Sequence, residues 1–277
     1  MDFDRARMRY LRAGVGPPLI LLHGLLGYSF SWRFTIPALS RYATVYAPDM
    51  LGAGFSDRPG GLDHSLGGTA HRLLQFIERL GISTFDLLGT SHGGAVAMMA
   101  AAKCLSADFR LRVRRLILVA PVNPFSPHGR RLAPFIGSEL GTAWFRFLLP
   151  QMNWLYPYWH ARMFGDRKRI PSDSFVGYLA PLAKPGLFDH ALGIVRTWRD
   201  DLLELELTLP KLANIPTLLM WGTKDPAVYA SSAERLAKYF PLSRTLMFPR
   251  IGHLPYEECP DEFNRALIEF LTSDGVS

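Results

Sequence analysis

The 277 residues contain only two cysteines, Cys104 and Cys259. They lie far apart and in no metal-like spacing, which argues against a disulfide framework or a thiolate zinc site; both read as reduced packing residues of an intracellular protein. Long apolar runs are also missing. No stretch of about 18 apolar residues occurs, so a membrane span is not expected. Met1 to Arg12 is polar and lacks the apolar segment of a secretory signal, and a cytoplasmic protein is the resulting expectation. A low-hydrophobicity, highly charged composition is absent as well: 48% of residues are apolar and 20% charged, close to globular averages, which excludes general disorder. The net charge of +7 gathers at Arg110, Arg112, Arg114 and Arg115 and at Arg167, Lys168 and Arg169. No nucleic-acid-binding motif accompanies either cluster, so nucleic acid is not an expected partner. Solvated faces, or mild attraction for anionic ligands, account for both. Internal repeats and low-complexity tracts are missing too.

What the chain does have is alternation. Short apolar runs follow helical patterns through most of its length, the signature of a mostly parallel sheet. Strands are predicted at Met8 to Leu11, Leu19 to Leu22, Thr44 to Ala47, Phe85 to Leu88, Leu116 to Val119, Thr217 to Trp221 and Arg244 to Phe248. Gly68 to Leu80 carries a helical stripe of Leu73, Leu74, Ile77 and Leu80 and is stopped by Gly81. Ala95 to Ala102 is too long and too rich in alanine for a strand and predicts a closely packed helix. Phe263 to Leu271 predicts a closing amphipathic helix. Between residues 122 and 209 the alternation stops, and proline and aromatic residues accumulate. This segment is expected to be a helical cap laid over the end of the sheet. Residues 1–121 and 210–277 then form the core.

The densest chemistry lies at Gly89-x-Ser91-x-Gly93, between a predicted strand and a predicted helix. A nucleophile in a tight strand-to-helix turn needs neighbours without bulk, and the two glycines supply that. The helix behind Ser91 points its N–H groups at developing negative charge. A neutral serine needs a base within reach. Of the eight histidines, His253 follows the last strand and so falls at the same sheet edge. His92 should point away from the turn, and His23 suits a structural or loop role. His64, His71, His128, His160 and His190 have no comparable placement. Asp225, after the strand ending at Trp221, is the expected acid that fixes the imidazole tautomer; the loop after Val119 offers Asn123 and no carboxylate. For the oxyanion, the backbone N–H groups of His92 and Leu25 are the expected donors. Expected substrate contacts are Leu26 and Leu254 beside the reacting groups, with Trp144, Trp154 and Tyr158 of the 122–209 segment. Those aromatics could instead form that segment's own core.

Taken together, His23-Gly24, Pro48-Asp49 with Gly52-x-Gly54-x-Ser56, the turn at Ser91, Gly222 to Asp225 and Gly252-His253 resemble the α/β-hydrolase superfamily across essentially the whole chain. Ser31-Trp32-Arg33 and His253-Leu254-Pro255-Tyr256-Glu257-Glu258 are similar to its capped branch of epoxide hydrolases, haloalkane dehalogenases, carbon–carbon bond hydrolases and small esterases. The resemblance implies a mostly parallel eight-stranded sheet flanked by helices. Epoxide hydrolases and dehalogenases use aspartate where this chain has Ser91, which sets their chemistry aside. Carbon–carbon hydrolases resemble it in the serine, but usually carry a Gly-rich stretch where Leu25-Leu26-Gly27-Tyr28 stands and tryptophan where Leu254 stands. The implied activity is a carboxylesterase-like serine hydrolysis of a small to medium, largely apolar ester through an acyl-enzyme, without metal or organic cofactor. Cleavage of a vinylogous diketone is the alternative, with Arg130, Arg131, Arg162 and Arg167 available for a carboxylate. Lyase, acyltransferase and ligand-receptor relatives stay open, because fold does not fix function, and a homodimer is compatible with all of these.

Overall fold

A computed structural model of the protein describes residues 1–3, 6–106, 109–126, 138–148 and 154–273. The strands are β1 (Asp2–Phe3), β2 (Ala6–Arg7), β3 (Tyr10–Ala13), β4 (Pro18–Leu22), β5 (Thr44–Pro48), β6 (Thr84–Thr90), β7 (Arg112–Val119), β8 (Thr217–Gly222) and β9 (Ser243–Phe248). β1 and β2 form a separate antiparallel ribbon. Among the described residues the main sheet has seven strands in the order β3-β5-β4-β6-β7-β8-β9, against the eight that the resemblance implied. Each of the seven predicted segments supplies one strand. β3 pairs antiparallel at the edge, and the other pairings are parallel.

The helices are α1 (Ile36–Leu39), α2 (Leu66–Arg79), α3 (His92–Lys103), α4 (Glu139–Leu148), α5 (Tyr156–Arg162), α6 (Ser174–Leu179), α7 (Leu187–Thr208), α8 (Ala233–Ala237), α9 (Pro255–Glu258) and α10 (Pro260–Thr272). No described helix is long and apolar enough to cross a membrane. α2 begins where the Ser65 hydroxyl accepts from the Gly68 N–H at 3.0 Å, and ends before Gly81 at φ +72°, the left-handed stop that only glycine takes cheaply.

Burial explains why β4, Pro-Leu-Ile-Leu-Leu, is apolar without alternation. A parallel strand is covered on both faces. Leu19 and Leu21 enter one core layer with Trp32, Phe248 and Phe263. Ile20 and Leu22 enter the other with Phe76, Ala97 and Trp221, as the two-residue period requires. Each large apolar side chain so buried contributes about 1.5–3 kcal/mol before entropy is counted. Residues 93–101 of α3 are almost wholly buried, and their small side chains let the helix lie close to the sheet.

The strand order places the site. From β4 the chain crosses to β5 on one side, then returns through α2 to β6 on the other. The direction in which strands are added therefore reverses between the parallel neighbours β4 and β6, and the loops leaving their carboxyl ends diverge to open a crevice. His23-Gly24 and Ser91 sit at those two ends.

Candidate active site

Ser91 has φ +52° and ψ −122°, a backbone state costly for any residue with a side chain and stored at functional turns. Its surroundings admit no bulk. A Cβ on Gly89 would lie 2.2 Å from the Gly93 carbonyl oxygen, and one on Gly93 would lie 2.3 Å from that of His23. The Ser91 N–H donates to Val119 O at 2.9 Å, while its carbonyl accepts from Gly94 at 3.0 Å and Val122 at 2.9 Å. The turn is thus bolted to the end of β7.

Asp225 and His253 reach the same edge from the loops after β8 and β9. Asp225 Oδ2 lies 2.7 Å from His253 Nδ1. Its Oδ1 accepts from the N–H groups of Ala227 at 2.8 Å and Val228 at 2.9 Å. The aspartate therefore both forms the turn and orients the ring, and both side chains are buried. With Nδ1 protonated toward Asp225, Nε2 carries the lone pair that could take a proton. Ser91 and His253 line one cavity of about 320 Å³. No hydrogen bond joins them in this structure, a looseness common before substrate binds.

The loop after β4 comes against Ser91: a Cβ on Gly24 would stand 3.1 Å from Ser91 Cβ. His23 holds this loop, with Nδ1 2.9 Å from Gly24 O and Nε2 accepting from the Met50 N–H at 3.1 Å. Its role is structural. The N–H groups of Leu25 and of His92, the first residue of α3, have no acceptor among the described residues.

Leu26, at φ +60°, and Leu254 line the cavity as expected. Trp144, Trp154 and Tyr158 are not among its lining residues, and all three side chains are exposed. In their stead Tyr156, Trp159, His160 and Met163 line the cavity from α5 and its end, joined by Tyr178 of α6 and Trp198 of α7. The spacing of the first four residues is one helical face, so helical phase, which aromatic content ignores, was the signal available. Arg162 and Arg167 are not among the lining residues; His128, Arg130 and Arg131 lie outside the described residues. Among the described residues, no charged side chain lines the cavity.

Two further carboxylates tie the His253 loop to the helices above it. Glu258 accepts from the N–H groups of Gly252, Gly165 and Asp166 at 2.7, 2.9 and 2.9 Å. Glu257 pairs with Arg33 at 3.1 Å. The His253 N–H itself donates to Met163 O at 2.6 Å. Cys104 and Cys259 are free, and burial pushes both thiols up to about 12.

Two histidines carry buried ring nitrogens without a hydrogen-bond partner among the described residues. His92 has neither ring nitrogen hydrogen-bonded among the described residues, and His190 lacks a partner at Nδ1. Burial drives both down to about 3 from 6.5. Each is neutral when folded and takes a proton near pH 6.5 when unfolded, so its contribution to stability is whole above 6.5 and shrinks as pH falls toward 3. Stability should therefore drop by about 1.4 kcal/mol per histidine per pH unit in that window. Urea midpoints at pH 7, 6 and 5 should fall more steeply for wild type than for His92→Leu; parallel curves would refute this.

The comparisons with known proteins bear on the fold family. Residues 17–260 match the family model described as alpha/beta hydrolase fold. Haloalkane dehalogenase 2 of Mycobacterium tuberculosis is 29% identical, covering 97% of this chain and 92% of the relative. The 2-hydroxy-6-oxo-2,4-heptadienoate hydrolase of Pseudomonas putida is 27% identical, with 94% and 91% covered. A meta-cleavage product hydrolase from Pseudomonas fluorescens superposes with a TM-score of 0.74 at 27% identity, covering 96% of this chain and 94% of that one. The sheet order, the turn at Ser91 and the family match over most of the chain converge on one conclusion: the chain belongs to the alpha/beta hydrolase fold family, a family of hydrolytic enzymes.

Proposed function

We propose that the protein is a serine hydrolase cleaving a carboxylic ester of a small to medium, largely apolar substrate. The observation that carries this reading is the pairing of a strained Ser91 with the Asp225-held His253 in one cavity free of charged side chains among the described residues. Ser91 Oγ attacks the carbonyl carbon while His253 Nε2 takes its proton. The N–H groups of Leu25 and His92 receive the oxyanion, each worth about 2.7–4 kcal/mol in the transition state. The imidazolium then protonates the leaving alcohol, and water, activated by the same ring, releases the acyl group. Nothing in these steps calls for a metal or an organic cofactor. Residues 122–209 act as a cap, a reading supported by the cavity-lining side chains they contribute.

The dehalogenase relative does not transfer its activity on this reading, because serine stands at the elbow where dehalogenases resemble one another in having aspartate. The dienoate hydrolase relative keeps carbon–carbon cleavage as the alternative. An apolar lining, however, suits a neutral ester better than a carboxylate-bearing substrate. Hydrolysis of p-nitrophenyl esters from acetate to laurate tests the proposal. Turnover should peak at one chain length and fall away on either side as the cavity is underfilled or exceeded. No turnover above that of Ser91→Ala at any length would overturn the ester reading and turn attention to diketone cleavage.

A further inference from the structure

One part of the cavity wall is backed by a polar network that the proposed reaction does not use. Its root is Glu257, 2% exposed and paired with the Arg33 guanidinium at 3.1 Å. A carboxylate can only accept. The Ser174 hydroxyl donates to Oε2 at 2.7 Å, and the Tyr178 hydroxyl donates to Oε1 at 2.5 Å. Each hydroxyl has one proton, and each has now spent it. The contact of 2.9 Å between Ser174 Oγ and His160 Nε2 must therefore run from a protonated Nε2, which leaves Nδ1 of the neutral ring as a lone pair. Burial favours that neutral ring. By the same count, Ser31 Oγ, 2.9 Å from the Tyr178 hydroxyl, donates its proton to that oxygen and keeps only lone pairs for other partners. Ser31 and His160 both line the cavity, and His160 Nδ1 has no partner among the described residues.

The protons of Ser31, Tyr178, Ser174 and His160 Nε2 all run toward Glu257, which leaves lone pairs on Ser31 Oγ and His160 Nδ1. We propose that Ser31 and His160 form a hydrogen-bond-accepting subsite that takes a hydroxyl or N–H group on an uncharged acyl substrate. The inference rests on the ester reading and narrows it: the preferred ester carries a donor remote from the scissile bond. The absence of charged side chains among the described lining residues suits an uncharged substrate, and the lone pairs of Ser31 and His160 suit a donor group on it. An ester lacking the donor would desolvate these acceptors without replacing their water, which is how polar subsites discriminate. The His160 ring is held by Tyr156, stacked at 6.0 Å, and by Phe164 edge-on at 5.3 Å. Phenylalanine can therefore replace it with the packing kept.

The test compares p-nitrophenyl phenylacetate with its three ring-hydroxylated and three ring-methoxylated forms. At least one hydroxy ester should exceed both the parent and its methoxy partner in kcat/KM by about tenfold. In His160→Phe that ratio should collapse toward one. Ser174→Ala, which frees the ring to change tautomer, should lower it as well and serves if the first variant does not fold. A hydroxy series no better than the methoxy series, or an advantage undiminished in His160→Phe, would overturn the subsite. Should wild type hydrolyse none of these esters above Ser91→Ala, the ester reading itself falls. Calorimetric binding of hydroxy- and methoxyphenylacetamides to Ser91→Ala then decides the subsite alone: tighter hydroxy binding sustains it, and equal binding removes it.

Discussion

Ser91→Ala is expected to lower kcat by roughly a million-fold, because residues acting as a nucleophile–base–acid unit fail together when the nucleophile is lost. What remains is the catalysis that the oxyanion donors and binding supply without a nucleophile. The variant should fold as wild type does. Alanine is no more strained than serine at φ +52°, and the Ser91 hydroxyl has no hydrogen-bond partner to orphan among the described residues. Binding should survive, since the cavity keeps its shape. Burst kinetics with a p-nitrophenyl ester would show no acyl-enzyme, while calorimetry with a non-hydrolysable amide would show near-native affinity. Residual turnover within a thousand-fold of wild type would mean that another group attacks.

Asp225→Asn should cost about 10⁴ in kcat with KM little changed, and hydrogen bonding in the structure says why. The Oδ1 position already accepts from the Ala227 and Val228 N–H groups. An asparagine must put its carbonyl there, because an amide NH₂ would face two donors. Its NH₂ then points at His253 Nδ1, which is forced to accept. The proton moves to Nε2, and the ring can no longer take one from Ser91. Stability should change far less than activity, since the turn bonds are retained. A loss in kcat under a hundred-fold would place the orienting acid elsewhere.

Much of this was legible in the chain. Unbroken apolar runs such as Leu19 to Leu22 identify buried parallel strands, because only residues covered on both faces can forgo alternation. The order Ser91, Asp225, His253, each just beyond a strand, places all three at one sheet edge. Gly89 and Gly93 announce the elbow because a side chain at either would overlap backbone. Strand count was less legible: among the described residues β1 and β2 pair apart and the main sheet has seven strands. Trp144, Trp154 and Tyr158 failed as cavity residues because aromatic content says that a segment buries surface, not which helical face does so. Trp159 and Tyr156, a residue or two away, line the cavity.

The sequence alone determined the fold class and singled out the three side chains proposed to react, since local spacing and strand ends are written along the chain. Only the tertiary structure decided what shapes the pocket. Arg33 meets Glu257 across 224 positions, and Ser174 meets it across 83. In the sequence these are ordinary charges and hydroxyls. Burial turns them into a network with a direction, because a carboxylate withdrawn from water must collect its hydrogen bonds from whichever side chains the fold brings to it.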